Sequence, residues 1–448
     1  MTVDRAHALL TSPEAGEVLQ LALTGDPSAR LPGFRFEIDR VHHRPGADVS
    51  AIYRIYYDPP TPGSPIEEWL GLTTADVQDG VATLVHNDLV LRCWRHPADP
   101  RLPALPSACN ADRVGAWLGA APVELEMLAY RPLRRAVIAA RGHRPAFIKV
   151  LRPDKSPPLA HRQRLLSAAG VAPPVLGEPE PGVVISATAE GTSLAHALVA
   201  WPRDPAQLPA SASLVALLDA LPAEAVRLPR RESWSDRIDF HAEGAASALP
   251  QLRPEILGLA ADLKQLLVDS PVTPVVPTHG DFYEANIFTL NGRATSVIDV
   301  DSVGPGRRDD DLACLLGHMS VLPHLSPQHY AGVAQVVENW RADFEARVHP
   351  VSLRSRTAAV ILSLVAGADT PTALARLDLA RAWLVRARQA AGGRSFGVSP
   401  TLHRGWKARN PGGSLALILP MSCHWPGNDE SPGSRGCRCG WPGPGSNR

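Results

Sequence analysis

The sequence predicts an α+β protein in which strands and helices are segregated along the chain. From about residue 34 to residue 185, short apolar segments such as 146-AFIKVL-151 alternate with Pro-rich loops, which is typical of strands. Between about 194 and 391, apolar residues recur with the spacing of amphipathic helices. The dipeptide Asn291-Gly292, flanked by two apolar runs, predicts a β-hairpin inside the helical half.

Each element is predicted from its own start and stop signals. Within residues 1–30 we expect one short helix, with Ser12 as N-cap and Pro13 at the first helical position. The predicted strands are FRFEIDRV, SAIYRIYY, TLVHNDLVLRCW, VELEMLAY, RAVIAA, AFIKVL and GVVISA. A helix over 156–170 ends at Gly170. The later helices are SASLVALLDAL, EILGLAADLKQLL, DDLACLLGHMSVL, QHYAGVAQVVENWRADFEARV, SRTAAVILSLVAGA and PTALARLDLARAWLVRARQAA.

The composition is that of a globular protein without a strongly charged partner. Basic and acidic residues number 45 each, so bulk charge favours neither nucleic acid nor a membrane surface as a partner. No apolar run approaches the roughly 18 residues of a transmembrane helix, and we expect no signal peptide. The cysteines are scattered rather than arranged as a disulfide framework, which favours a cytoplasmic location.

Polar side chains cluster around the predicted hairpin, in 278-THGDFYEANIF-288 and 296-SVIDVDSVG-304. If Leu290 pairs with Arg293 across the turn, then Asn286 faces Val297, and Asp299 lies two residues further along on the same face. Diagonal neighbours of this kind lie roughly 7–8 Å apart at Cα, which suits an amide and a carboxylate that converge on one cation. Oxygen ligands of this type favour Mg²⁺ completed by substrate phosphates.

The order of these residues is that of a kinase active site. An Asp is followed five residues later by an Asn and then by an Asp at the next strand end. In kinases the first Asp accepts the substrate hydroxyl proton, and the Asn and the later Asp hold Mg²⁺.

The segments HGDFYEAN, VIDVD and 304-GPGRRDDDLA-313 together resemble the aminoglycoside phosphotransferase/choline kinase family of protein-kinase-like small-molecule kinases. The resemblance centres on 275–320 and extends over 130–320. It implies a two-lobed protein-kinase-like fold, with a strand-rich N-lobe and a helical C-lobe that carries the catalytic β-hairpin.

The resemblance also implies roles for individual residues. Asp281 would be the catalytic base or the residue that positions the acceptor hydroxyl. Asn286 and Asp299 would be the Mg²⁺ ligands, and Asp301 a second ligand or an orienting group. His279 would hold the loop. Asp311 would do the same, or would be an ordinary acid at a helix N-terminus.

The nucleotide is expected to bind the strand-rich half. Lys149 lies inside AFIKVL, in a chain with only four lysines, and would contact the phosphates; the alternative is an edge-strand lysine that points to water. The segment VVISATAEGTSL resembles the hinge of the family, which implies that the backbone at Ser186, Ala187, Thr188 and Ala189 meets adenine.

Two departures from the kinase pattern stand near Lys149. The segment 131-RPLRRAVIAA-140 replaces a Gly-rich loop, so Arg134 or Arg135 would touch phosphates or would be solvated. The helix after Lys149 contains no Glu to pair with it.

These observations predict four regions. They are a strand-rich cap subdomain (1–125), a nucleotide-binding N-lobe (126–190), a helical C-lobe with the catalytic loop (191–392) and a disordered tail (393–448).

The predicted activity is ATP- and Mg²⁺-dependent phosphorylation of a hydroxyl on a small molecule such as an aminoglycoside, amino sugar, sugar or amino alcohol. Glu284, Asp309 and Asp310 would attract a cationic acceptor or would be solvated acids. The alternatives are a nucleotide-binding pseudokinase, favoured by the missing Glu and Gly-rich loop, and a metal-dependent hydrolase built on His279, Asp281 and Asp299.

Overall fold

The computed structural model describes residues 2–42, 48–61, 63–77 and 81–392. The predicted tail, 393–448, lies outside them. Within the described residues the chain forms two compact units: a first unit of 2–164 and 174–188, and a second of 165–173 and 189–392. The first unit is rich in strands and the second is mainly helical, so the predicted α+β class is confirmed.

The first unit contains two five-stranded antiparallel sheets. Their strands are β1 (Arg35–His42), β2 (Ser50–Tyr57), β3 (Ile66–Thr73), β4 (Ala82–His86), β5 (Leu89–Arg95), β6 (Val123–Arg131), β7 (Arg135–Gly142), β8 (Ala146–Leu151), β9 (Val175–Gly177) and β10 (Val183–Ala187). The first sheet has the order β1-β2-β3-β5-β4 and the second the order β6-β7-β8-β10-β9. The first helices of the chain are α1 (Thr2–Thr11), α2 (Ala15–Thr24), α3 (Leu105–Ala108), α4 (Ala111–Leu118) and α5 (Ser156–Ala168).

The two sheets of the first unit share a hydrophobic core. Ile52 and Trp94 of the first sheet belong to the same buried cluster as Ile138, Ile148 and Ile185 of the second. Alternate residues of β7 and β8 enter this cluster, as expected for strands with one face packed on a core. The N-terminal sheet therefore packs on one face of the second sheet and leaves the other face of β7 and β8 outside this core.

The second unit is built from helices around short strands. Its helices are α6 (Leu194–Ala200), α7 (Ser211–Asp219), α8 (Ile238–Ala248), α9 (Arg253–Val268), α10 (Arg308–Leu325), α11 (Val333–Glu345), α12 (Pro350–Ser363) and α13 (Thr370–Ala390). Its strands are β11 (Thr192–Ser193), β12 (Val276–Thr278), β13 (Ile287–Leu290), β14 (Arg293–Val297) and β15 (Gly304–Gly306). The strands form two small sheets, β11-β13-β14 and β12-β15. A backbone bond from Val297 N to Val171 O (2.8 Å) ties residues 165–173 into this unit.

Three sequence-based expectations in the first unit are corrected. The predicted single helix near the N-terminus is two helices, and Ser12 lies between them with its Oγ accepting from Glu14 N (3.2 Å). The predicted strand TLVHNDLVLRCW is the β4–β5 hairpin, because Asn87 and Asp88 both adopt positive φ and turn the chain. Strand β3 was not predicted, since the two glutamates at its start conceal its apolar pattern; Glu67 pairs across the strands with Arg54 (2.6 Å).

Among the described residues, no helix is both long enough and apolar enough to cross a membrane.

Gly71 is required by close packing in the first sheet. It lies opposite Trp94, and a Cβ at this position would stand 2.3 Å from two atoms of the indole ring. We therefore expect Gly71→Ala to lower the free energy of unfolding by about 1–3 kcal/mol, as for other overpacked cores.

Urea unfolding of Gly71→Ala beside Gly258→Ala checks this prediction. Gly258 is an exposed position in α9 where a Cβ would meet nothing within 4 Å, so alanine there should stabilise the protein by about 0.5–1 kcal/mol. Equal unfolding midpoints for Gly71→Ala and the wild type would contradict the packing argument.

Candidate active site

The loop that carries Asp281 starts at the end of β12 and is held by strand pairing. Strand β12 pairs with β15 in antiparallel register, so Thr278 lies opposite Gly304. The Thr278 Oγ1 also donates to the Gly304 carbonyl (3.0 Å). The segment that follows β12 therefore starts beside the point at which the segment before β15 ends.

Asp311 fixes the first two residues of this loop. Its Oδ2 accepts from His279 N (2.9 Å), and its Oδ1 accepts from Gly280 N (2.8 Å). The carboxyl is fully buried, and burial raises the pKa of Asp311 to about 7, while the two N–H donors act in the opposite direction. Asp311 therefore holds the loop through these two bonds, which is one of the two roles predicted for it.

Gly280 is needed where the loop passes the later acidic segment. Its φ is +82°, and a Cβ would lie 2.8 Å from the Ser302 carbonyl oxygen. A side chain at this position would both strain the backbone and push the two segments apart.

The loop that carries Asp281 is joined to the end of β14 by two further bonds. The buried His279 donates through Nε2 to the Ile298 carbonyl (3.0 Å), and Ile298 N donates to the Asn286 carbonyl (2.9 Å). His279 is thus engaged by backbone on this side.

The predicted hairpin is present, but its register differs from the expected one. Asn291 and Gly292 both have positive φ, and Leu290 pairs with Arg293 as predicted. The ladder then shifts by one residue between Phe288 and Thr289, so that Ile287, rather than Asn286, lies opposite Val297. The expected pairing of Asn286 with Val297 is therefore wrong, because a β-bulge adds one residue to β14.

The Asn286 side chain is oriented by the loop itself. It is buried, and its Nδ2 donates to the Asp281 main-chain carbonyl (3.0 Å). Because the amide nitrogen is directed toward the loop, Oδ1 is directed away from this bond. The Asn286 side chain is thereby oriented so that its oxygen can accept a hydrogen bond or bind a cation on that other side.

Asp281 stands among negative charges. Burial and, next, the charge of Asp299 raise the pKa of Asp281 to about 6, and Asp301 adds to the effect. Hydrogen bonding by the Ser302 Oγ (3.3 Å) and the charge of Arg231 act in the opposite direction. The carboxylates therefore lie close enough to repel one another.

Ser302 and Arg231 are contacts of the site that sequence reasoning missed. Arg231 Nη1 donates to Ser302 Oγ (3.2 Å), which in turn donates to the Asp281 carboxylate. Ser302 directly follows Asp301, so its position could have been inferred from the strand end. Nothing in the sequence around Arg231, 229-PRRESWSD-236, indicates its proximity, because it lies about 50 residues upstream.

Asp299 has the left-handed backbone conformation, with φ 57° and ψ 54°. This conformation is uncommon for a non-glycine residue and clusters at functional sites. A short 3₁₀ turn, Val300–Ser302, follows and contains Asp301. Among the described residues, no group of three or more His, Cys, Asp or Glu side chains has metal-binding geometry. A cation here would therefore need the amide of Asn286 and ligands from outside the protein.

Lys149 lies in the second sheet of the first unit. It pairs with Val137 of β7 on one side and with Val184 of β10 on the other. Side chains of directly paired residues share a face, and this is the face of the sheet opposite the shared core. The alternative of an edge-strand lysine is therefore wrong, because β8 is a central strand.

The hinge-like segment follows Lys149 in the same sheet. Ser186 and Ala187 end β10, and Ala187 N donates to the Pro174 carbonyl (3.0 Å). The chain passes from the first unit to the second between Thr188 and Ala189.

Three acids that the sequence placed near the site are engaged or buried. Asp309 is fully buried, accepts from Thr273 Oγ1 (3.2 Å) and lies 3.4 Å from Arg356 Nε. Asp310 also pairs with Arg356. Glu284 is buried, and burial raises its pKa to about 7. The interpretation of Asp309 and Glu284 as solvated acids is therefore wrong.

The strand-rich first unit, and the helical second unit with its loop held by Asp311, contain the elements expected of a small-molecule kinase. Residues 137–357, which include Lys149 and Asp281, match the model of the phosphotransferase enzyme family. The predicted resemblance is therefore confirmed over these residues.

The chain is also similar to solved structures over about three fifths of its length. One is a thermostable mutant of an aminoglycoside phosphotransferase in apo form (18% identity, TM-score 0.43, 63% of this chain and 100% of that one). A choline/ethanolamine kinase family protein from Mesorhizobium loti has 18% identity, a TM-score of 0.43 and coverages of 62% and 98%. The choline kinase from Streptococcus pneumoniae has 15% identity, a TM-score of 0.43 and coverages of 61% and 96%. No curated protein matches the chain in sequence.

The two bonds made by Asp311 lead to a stability prediction. In Asp311→Asn, the amide nitrogen would face one of the two backbone N–H groups and could not accept from it. We expect the free energy of unfolding to fall by about 2 kcal/mol or more, since a buried donor loses its partner.

The measurement is urea unfolding of Asp311→Asn beside Asp378→Asn. Asp378 is an exposed acid of α13 paired with Arg381, and its loss should change stability by about 0–1 kcal/mol. Equal, small effects of the two substitutions would show that the loop does not depend on Asp311.

Proposed function

We propose that the chain is a cytoplasmic ATP- and Mg²⁺-dependent kinase that transfers a phosphoryl group to a hydroxyl of a small molecule. The observation that carries the proposal is the placement of Asp281. It stands in a loop fixed by Asp311, beside the oriented amide of Asn286 and near Asp299. A base, an amide oxygen and a further carboxylate in this arrangement are the parts that kinase chemistry requires.

The residues of the second unit have separate tasks in this proposal. Asp281 positions the acceptor hydroxyl and takes its proton, and Ser302 orients the Asp281 carboxylate. Asn286 Oδ1 and the Asp299 carboxylate hold Mg²⁺, and Asp301 serves as a second ligand or an orienting group. When bound, Mg²⁺ and ATP supply charge neutralisation and the phosphoryl group.

Mg²⁺ fits these residues for a specific electrostatic reason. The pKa of Asp281 is raised first by burial and then by the negative charge of Asp299, with a smaller contribution from Asp301. A divalent cation held by Asp299 would relieve this repulsion and favour the ionised form of the base. The ligand set is all oxygen, which is the preference of Mg²⁺.

In the first unit, Lys149 is the proposed phosphate contact, and the backbone at Ser186, Ala187, Thr188 and Ala189 the proposed adenine contact. Lys149 lies on a central strand between Val137 and Val184. The two valines offer an apolar surface that suits the flat adenine base, and the Lys149 ammonium suits the charged phosphates.

The acceptor is proposed as a hydroxyl-bearing aminoglycoside, amino sugar, sugar or amino alcohol. Among the similar structures, one aminoglycoside phosphotransferase is in ternary complex with ADP and hygromycin B. Nucleic acid is not a proposed partner, because the charges of the chain balance.

A nucleotide-binding pseudokinase is the second candidate, and one observation favours it. Helix α5, which follows Lys149, contains no acidic residue along Ser156–Ala168. A kinase lysine is ordinarily positioned by a glutamate from the following helix.

The first activity prediction concerns the base. Asp281→Asn should lower acceptor-stimulated ADP release by about 10²–10⁴-fold, the usual contribution of a positioned general base. The assay is Mg²⁺-dependent ADP release with a panel of aminoglycosides, amino sugars, neutral sugars and amino alcohols.

Asp269→Asn is the matched control, since Asp269 directly follows α9 and its exposed carboxylate accepts from the Gln265 side chain. Unchanged turnover in Asp281→Asn would refute the assignment of the base. Nucleotide binding without turnover on any acceptor would favour the pseudokinase.

The second activity prediction concerns the metal. Asp299→Asn should raise the Mg²⁺ concentration for half-maximal ADP release by roughly tenfold or more, because one anionic ligand is lost. EDTA should abolish the release in the wild type, and added Mg²⁺ should restore it. An unchanged Mg²⁺ requirement in Asp299→Asn would exclude this residue as a ligand.

A further inference from the structure

The turn between β6 and β7 stands where a kinase would have a Gly-rich loop, and it is unusually constrained. It runs from Arg131 to Arg135, and Arg134 N donates to the Arg131 carbonyl (3.0 Å). At its centre Leu133 has a φ of +62° although it is not glycine, and its side chain is buried in the shared core. Such a conformation persists only where the surroundings impose it.

The constraint comes from a buried carboxylate. Asp99, 2% exposed, accepts through Oδ2 from Leu133 N (2.8 Å) and from the Tyr130 hydroxyl (2.6 Å). Its Oδ1 accepts from Arg101 N (2.9 Å). Trp94 Nε1 donates to the Tyr130 hydroxyl (3.3 Å) and extends the network into β5. The segment that follows β5, through Asp99, therefore fixes the conformation of the β6–β7 turn.

The register of the second sheet places one arginine of this turn beside Lys149. Val137 pairs directly with Lys149, and Arg135 lies two residues before Val137 on the same strand. Arg135 and Lys149 consequently point to the same face, as diagonal neighbours roughly 7–8 Å apart at Cα. Arg134 lies within the turn, outside the ladder, so the register assigns a face only to Arg135.

We propose that Arg135 is a phosphate-binding residue for the nucleotide, and that Asp99 positions it through the β6–β7 turn. This inference rests on the proposed kinase function. A guanidinium offers paired donors that match phosphate oxygens, whereas an ammonium is a single compact charge. A rigid arginine-bearing turn thus replaces the backbone donors of a flexible Gly-rich loop.

The test measures how the affinity for a nucleotide depends on the number of its phosphate groups. Titration calorimetry with Mg²⁺ compares ATP, ADP and adenosine on full-length Arg135→Gln, in an Asp281→Asn background that prevents turnover. We expect ATP affinity to fall by about ten- to a hundredfold, the loss of one charge-assisted contact, with adenosine affinity unchanged. Arg135→Lys should recover part of the ATP affinity.

Arg141→Gln is the matched control. Arg141 lies on the same strand and face, roughly 20 Å further along, and pairs with Glu126. It should leave all three affinities within about twofold of the parent.

Asp99→Asn tests the positioning role and should weaken ATP more than adenosine. Equal loss for ATP and adenosine in either Arg135→Gln or Asp99→Asn would mean a general structural effect and would overturn that part of the inference.

The outcomes also separate this inference from the proposed function. If the parent protein binds ATP and Arg135→Gln binds it equally well, Arg135 is not a phosphate contact, and the kinase proposal stands. If the parent binds neither ATP nor ADP, the kinase proposal itself fails, and the inference fails with it.

Discussion

The carboxylate of Asp311 accepts from the backbone N–H groups of His279 and Gly280, and these two residues begin the loop that carries Asp281 and Asn286. From them the loop continues to Asp281, whose carbonyl orients the Asn286 amide. His279 in turn holds Ile298, immediately before Asp299. A single buried acid at the start of α10 thus fixes both segments that carry the chemistry.

The same device recurs elsewhere in the chain. Asp99 and Asp309 are also almost completely buried, and each joins segments that are far apart in sequence. Asp99 is satisfied by backbone N–H groups and a tyrosine hydroxyl, and Asp309 by hydroxyls and Arg356. Buried carboxylates are costly unless all their oxygen atoms find donors, so each such junction tolerates few alternative geometries. The fold is specified at these points by polar contacts as well as by apolar packing.

Much of the fold and part of the site could be predicted from the sequence, for reasons that are local. Asn291-Gly292 identifies its own turn, and the spacing of Asp281 and Asn286 is visible in a single loop. The bulge that shifts the register beyond Phe288 has no marker of composition, so the predicted partner of Asn286 was wrong by one residue. The contact of Arg231 with Ser302 depends on tertiary packing, which no local pattern encodes.

The bond between Val171 and Val297 has a consequence for folding during synthesis of the protein. Residues 165–173 belong to the second unit, yet they precede the last strands of the first, and their partner in β14 is translated much later. At ordinary elongation rates of about 5–20 residues per second, this segment waits on the order of ten seconds on the ribosome. During that interval β8 is complete, while Val171 still lacks its partner in β14, Val297. We therefore expect this internal stretch to be accessible to chaperones and proteases until β14 has been made.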